Sequence, residues 1–130
     1  MTVLFVCNGN SARSQEAEAF FNHVDQRDVA ISGGTDVILG KPIDPLAVQV
    51  MAEAGIDVSG AQRKSVTAEM AAQAARIISF KPLNELPDFL AKSDKIEVWE
   101  IADPRGQSPG FHRQTRDAIK RRIDDAFKTS

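Results

Sequence analysis

The apolar positions of this chain change rhythm several times, and each change predicts an element. Residues 2–6 form a short, continuously apolar run, the pattern of a parallel strand buried on both faces. Over residues 14–24 the spacing becomes helical, with Ala17, Phe20, Phe21 and Val24 on one face. Residues 29–31 predict a second strand ended by Ser32-Gly33-Gly34-Thr35. Asp44-Pro45 then opens a helix over 46–54 that Gly55 closes, and 56–60 read as a turn. The alanine-rich stretch 67–75 predicts a helix, and 76–80 a strand stopped by Lys81-Pro82. Residues 83–91 hold a short helix interrupted near Pro87. Residues 95–101 supply the last strand. From Phe111 onward, Thr115, Ala118, Ile119, Ile123, Ala126 and Phe127 mark a final amphipathic helix.

Strands taking turns with helices imply an α/β fold: a single three-layer domain over residues 1–130, with a central parallel four-stranded sheet and helices on both faces. Ligands are then expected at the carboxyl ends of the strands. The composition, 42% apolar and 26% charged, suits one soluble core. A formal charge of −2 gives no general reason for nucleic acid or an anionic membrane as partner. The basic residues Arg113, Arg116, Lys120, Arg121 and Arg122 are diluted by Asp117, Asp124 and Asp125, and read as a solvated helix face. No apolar stretch is long enough to span a bilayer, and no basic residue precedes the first apolar run, so the expectation is a cytoplasmic protein. A lone cysteine cannot build a disulfide framework and fits a reducing compartment.

That cysteine opens the segment "CNGNSARS", residues 7–14, between the first strand and the first helix. There the backbone N–H groups of Asn8, Gly9, Asn10, Ser11, Ala12, Arg13 and Ser14 can curl around one point, where the helix dipole adds positive potential: an oxyanion cradle following the first strand. Gly9 is expected to supply the torsions and close approach, and Asn10 to hydrogen-bond across the curve. Arg13 adds a planar fork suited to two oxygens of a tetrahedral oxyanion. The same field stabilises a Cys7 thiolate, and Ser14 is placed to donate to the sulfur. The loop lacks the Gly-Lys-Ser/Thr ending of a nucleotide-binding Walker loop. No metal site is expected either: His23 and His112 lack ligand spacing and read as surface residues.

"VLFVCNGNSARS" resembles the phosphate-binding loop of the low-molecular-weight protein tyrosine phosphatase superfamily, which includes the thiol-dependent arsenate reductases. The likeness continues through "ISGGT", "GKPIDPLAVQVMAEAGIDVSGAQRKS", "RIISF" and "WEIADPRG", nearly the whole chain. It implies Cys7 as nucleophile, Arg13 as oxyanion clamp and Asp103, of Asp103-Pro104, as proton donor. Asp103 also has an independent rationale, since phosphoester cleavage needs a proton on the leaving oxygen and then a base for water. Asp44-Pro45, the other Asp-Pro pair, is assigned to a helix start.

The departures shape the functional expectation. Tyrosine phosphatases of this group usually follow Asp-Pro with aromatic residues; Arg105-Gly106 stand here, and the chain has no tyrosine. Gln15, Trp99 and the segment "FHRQTRDAIKRRI" look more like the arsenate reductase branch. That branch resolves its thiol–arsenate adduct with further cysteines, where this chain has Ala12 and Phe80-Lys81. The first expectation is therefore a phosphatase for phosphomonoesters, phosphoproteins among them, that works through a phosphocysteine without a cofactor. The alternative is an arsenate reductase drawing on an external small thiol, and the third an idle oxyanion-binding module. The expected ligands are phosphate, arsenate or a phosphomonoester.

Overall fold

The computed structural model describes residues 1–25 and 27–127. Its central strand β1 (Thr2–Cys7) lies between β2 (Val29–Gly34) and β3 (Arg76–Ser79). With β4 (Ile96–Val98) outside β3, the sheet has the order β2-β1-β3-β4, and every pair is parallel. Being central, β1 needs apolar side chains on both faces, as its uninterrupted run predicts. Val3, Phe5 and Cys7 join one core with Phe21, Met51, Trp99 and Ile119, while Leu4 and Val6 join another with Ala71, Ile77, Leu86 and Leu90. Helices α1 (Arg13–Val24), α2 (Pro45–Glu53) and α5 (Pro109–Ala126) supply the first face. Helices α3 (Ala68–Gln73) and α4 (Asp88–Ala91), with a 3-10 turn at Leu83–Glu85, supply the second.

Capping explains most helix boundaries. Asp44 accepts from Leu46 N at 2.9 Å with Pro45 in the first turn, so this Asp-Pro pair is a helix start, as assigned. Ser108 caps α5 in the same way, accepting from Phe111 N at 3.2 Å ahead of Pro109; the helix therefore begins two residues before the predicted Phe111. At the other end of α3, Lys95 Nζ donates to the carbonyls of Ala71 and Ala74, each at 2.7 Å.

Four expectations are corrected. Strand β2 does not stop at Ser32 but pairs on through Gly33 and Gly34, opposite Val6 and Cys7. Strand β4 ends at Val98, because its partner β3 ends at Ser79; one more bond, Trp99 N to Ser79 O at 2.9 Å, precedes the turn that takes Trp99 into the core. Val24 is 63% exposed, since the buried face of α1 ends at Phe21. His112 is fully buried rather than on the surface: α5 turns His112, Thr115, Ile119 and Ile123 inward at helical spacing. The basic face of α5 is solvated as expected at Arg113, Lys120, Arg121 and Arg122, with Arg116 half-buried. Arg113 and Arg116 both engage Glu53 of α2, and the Arg122 guanidinium lies 5.0 Å from the Trp99 ring centre. Among the described residues no helix is long and apolar enough to cross a membrane.

Candidate active site

Cys7 is the last residue of β1, almost wholly buried, at the carboxyl edge of the central strand. Residues 8–12 then turn back into α1, whose N-terminus carries no side-chain cap. An uncapped helix leaves its first N–H groups without intrahelical acceptors, which makes the loop a receptor for an anion. Within it, Asn10 N donates to Cys7 Sγ at 3.3 Å, and Ser14 Oγ lies 2.9 Å from the same sulfur. Asn10 Nδ2 donates to Ser14 Oγ at 2.8 Å, which leaves the Ser14 proton for the sulfur.

The curve of the loop is held by a buried amide whose hydrogen-bonding capacity is full. Besides Ser14, Asn10 Nδ2 donates to Ser32 Oγ at 3.0 Å, and Asn10 Oδ1 accepts from Gln15 Nε2 at 2.9 Å and Lys64 N at 2.8 Å. Two donors and two acceptor positions are thus all used. Ser32 Oγ passes its own proton to Glu18 Oε1 at 3.0 Å, and Lys64 Nζ stands 3.7 Å from that oxygen. Hydrogen bonds thus link Glu18, Ser32, Asn10 and Ser14 to Cys7, with Lys64 as an ion-pair partner at the far end.

The conformational demands fall elsewhere than the sequence suggests. Gly9 lies outside the left-handed region, and a Cβ there would meet only Ser11 Oγ at 3.7 Å. The left-handed torsion falls on Asn10, at φ 53°, a conformation that Asn tolerates better than most residues. The glycine that lies against this loop is Gly34: a Cβ on it would come within 2.5 Å of Asn8 O and 2.9 Å of Asn10 N. With hydrogen bonds from Thr35 N to Cys7 O and from Asp36 N to Asn8 O, the end of β2 is laid directly on the 7–14 loop.

Arg13, 7% exposed, anchors the loop to the rest of the strand ends. Its Nη1 donates to Phe80 O at 3.1 Å after β3 and to Ile101 O at 2.8 Å after β4. Nη2 is 3.7 Å from Asp103 Oδ2. Among the described residues Nε has no partner, so one edge of the fork remains for an oxyanion. Asp103 is fixed in turn by Arg105 N, which donates to its Oδ1 at 3.0 Å. Asn8, Arg13, Phe80, Lys81, Glu85 and Asp103 border a cleft of about 280 Å³. Arg13 and Asp103, far apart in sequence, are therefore brought together at this cleft, beside the loop that begins at Cys7. Sequence reasoning missed Ser32, Glu18, Lys64 and Lys81 as neighbours of the site; the only signal was the small-residue run at 32–34, which reads equally well as a strand end. His23 is exposed, and among the described residues no group of His, Cys, Asp and Glu is arranged to hold a metal.

A parallel-sheet α/β fold with a cysteine at the end of the central strand, a loop leading to an uncapped helix N-terminus, and an arginine fork beside a carboxylate defines a class of enzymes that handle tetrahedral oxyanions through a thiol. Residues 2–129 match the model of the low molecular weight phosphotyrosine protein phosphatase family, and the chain belongs to that family. It is 31% identical over 125 residues to the glutaredoxin arsenate reductase of Synechocystis sp., covering 95% of this chain and 93% of that protein. It is 30% identical over 134 residues to the probable low molecular weight protein-tyrosine-phosphatase EpsP of Ralstonia nicotianae, covering 95% and 91%. Among solved structures, an arsenate reductase in the phosphate-binding state superposes with a TM-score of 0.82 at 30% identity, covering 96% of this chain and 95% of that one. The chain is thus an enzyme of this family, a phosphatase or an arsenate reductase.

Proposed function

We propose that the chain is a phosphatase that hydrolyses phosphomonoesters through a phosphocysteine on Cys7, the 130 residues acting as one catalytic unit. The observation that carries this reading is that Arg13 and Asp103 border one cleft beside the loop that begins at Cys7, while the sequence contains a single cysteine and so no second thiol to resolve an adduct. In the first step the Cys7 thiolate attacks phosphorus and the ester P–O bond breaks. The loop N–H groups and the free edge of Arg13 take up the charge on the equatorial oxygens, and Asp103 gives its proton to the leaving oxygen. In the second, the Asp103 carboxylate takes a proton from water as the water attacks phosphorus, so that inorganic phosphate leaves and the thiolate, held by Ser14, is restored.

The names of the relatives favour a second reading. In arsenate reduction Cys7 would displace water from arsenate. An external thiol would then attack the Cys7 sulfur, releasing arsenite and leaving a mixed disulfide that a second thiol reduces. Both electrons come from the two external thiols, because the chain has no second cysteine. Assays run side by side, on an aryl phosphate and on arsenate with glutathione or mycothiol, separate the two. Phosphate release with a trappable phosphocysteine is expected. Thiol-dependent arsenite formation without ester hydrolysis would replace the first reading with the second.

A further inference from the structure

Lys81 stands where the cleft meets the catalytic loop, and the chemistry described so far leaves its charge without a role. Its backbone is fixed from both sides: Lys81 N donates to Ser79 Oγ at 2.9 Å, and Ser79 Oγ donates to Lys81 O at 2.8 Å, with Ser79 fully buried. The preceding residue is tied to β1 by Phe80 N to Val6 O at 2.8 Å and to Arg13 through its carbonyl. From this base the half-buried side chain reaches across to Asn8 Oδ1 at 3.2 Å and Thr35 Oγ1 at 2.9 Å. Both acceptors are neutral. Among the described residues no carboxylate pairs with this ammonium, whereas the partly buried Arg116 has Glu53. An ammonium carries three donors, so one N–H and the full positive charge remain beside the space that Arg13 and Asp103 also border. Glu85 borders that space too, but it is exposed and its field correspondingly screened.

We propose that Lys81 is a specificity-determining residue that recognises a second anion, a carboxylate or phosphate on the leaving group of the phosphomonoester. The proposal rests on the hydrolytic reading for the word leaving group, and on geometry alone for the anion site. A cation held at fixed position by neutral acceptors, in a narrow cleft, favours a ligand that brings the missing charge, because a charge-assisted hydrogen bond there is stronger than a neutral one. Since the second anion takes no part in bond breaking, its contact with Lys81 is the same in the ground state and the transition state. The preference should therefore appear in binding and KM and not in kcat.

The test uses non-hydrolysable phosphonates, so that binding is read without turnover. Phosphonoacetate, 3-phosphonopropanoate and para-carboxybenzylphosphonate, each against its own carboxamide, are titrated by calorimetry into the full chain and into Lys81→Met and Lys81→Arg. At least one carboxylate should bind about ten- to a hundredfold tighter than its amide. Lys81→Met should erase that ratio, weakening the carboxylates far more than their amides, and Lys81→Arg should restore much of it. If no pair's ratio depends on Lys81, or if Lys81→Met weakens acid and amide alike, Lys81 is only a tether for Asn8 and Thr35 and the proposal falls. Binding of none of the phosphonates would also overturn it. Hydrolysis of the corresponding phosphate esters is measured separately. A Lys81-dependent binding ratio without any turnover would remove the hydrolytic reading and leave the anion site standing.

Discussion

Replacing Glu16 by methionine should make the protein more stable, although it removes an acidic residue from the first turn of a helix, where acids are usually favourable. Glu16 lies one turn beyond Arg13 and is 1% exposed, and neither carboxylate oxygen has a protein partner among the described residues. Burial pushes its carboxyl well above the usual range; the Arg116 charge works against that rise, Asp44 adds to it, and Arg13 again opposes it. A buried polar group without a partner costs about 1–3 kcal/mol, whereas a volume-conserving apolar exchange costs less than about 1.5 kcal/mol in repacking. The net expectation for Glu16→Met is a gain of about 1 kcal/mol, or roughly 3–5 °C in Tm for a protein of this size.

The sign of the pH dependence makes the reasoning refutable. With its pKa raised on folding, Glu16 binds its proton more tightly in the native state. It therefore contributes most favourably below about pH 4.3, where the unfolded carboxyl is also protonated. That contribution is lost as pH rises through the raised native value. Scanning calorimetry of both proteins from pH 4.5 to 8 should show the advantage of Glu16→Met growing with pH. Glu53 acts in the opposite sense: Arg113 holds its carboxyl down to about 2, so its contribution, present above about pH 4.3, is lost as pH falls towards 2. It is common to both proteins and cancels in the difference. A less stable variant, with a deficit that grows as pH rises, would mean that Arg116 holds Glu16 as a native ion pair, and the argument from burial would be wrong.

Arg13→Lys keeps the charge but gives up the bidentate edge and the links to Phe80 O and Ile101 O; phosphate affinity should fall at least tenfold, and unfolding should become easier by about 1–3 kcal/mol, read by calorimetric titration and by urea denaturation. Gly34→Ala forces a Cβ against Asn8 O and Asn10 N, so phosphate protection of Cys7 from alkylation should be lost, while Gly9→Ala, with room for its methyl, should retain the native Tm within about 2 °C. Asp103→Asn should slow hydrolysis by roughly 10²–10⁴-fold for alkyl phosphates and visibly less for an activated aryl phosphate; equal losses for both would assign Asp103 a structural role instead.

Most of the fold was legible because burial dictates a rhythm. The run Val3 to Val6 could only be a strand covered on both faces, and it is the central one. Asp44-Pro45 and the pattern Thr115, Ile119, Ile123 have local causes, a cap and an inward stripe, that need no tertiary knowledge. The length of β4 was illegible because it depends on where its partner ends: Ser79 turns the neighbouring chain away by bonding to both backbone groups of Lys81. The extension of β2 through Gly33 and Gly34 depends likewise on contacts from afar, since a Cβ on Gly33 would strike Val66 at 2.7 Å. Glycine punctuates a sequence whether it ends a strand or lets another backbone lie against it, and the sequence does not distinguish the two.

The candidate site was legible in its chemistry and illegible in its support. Cys7, Arg13 and Ser14 could be named because a thiol, a fork and a hydroxyl at a strand-to-helix junction make sense together. Ser32, Glu18 and Lys64 could not, because each is an ordinary residue until the sheet order puts β2 beside the loop. The clearest local conflict lies in the first turn of α1, where Arg13, Ser14, Gln15 and Glu16 are all buried in a helix whose apolar spacing begins only at Ala17. Three of these four have partners that fix the oxyanion loop or its neighbours: Arg13 on two carbonyls, Ser14 on the sulfur and Asn10, Gln15 on Asn10 and Gln62 O. Glu16 has none. Burying polar groups is costly unless they are satisfied, and violations of patterning gather where function needs them. The three satisfied residues are therefore expected to respond to substitution in ligand binding as well as stability, and the unsatisfied one in stability with phosphate affinity unchanged within about twofold. If Glu16→Met altered phosphate binding as strongly as Arg13→Lys, the first turn would have to be treated as one electrostatic unit, with the raised carboxyl a participant in the cradle rather than a burden on the fold.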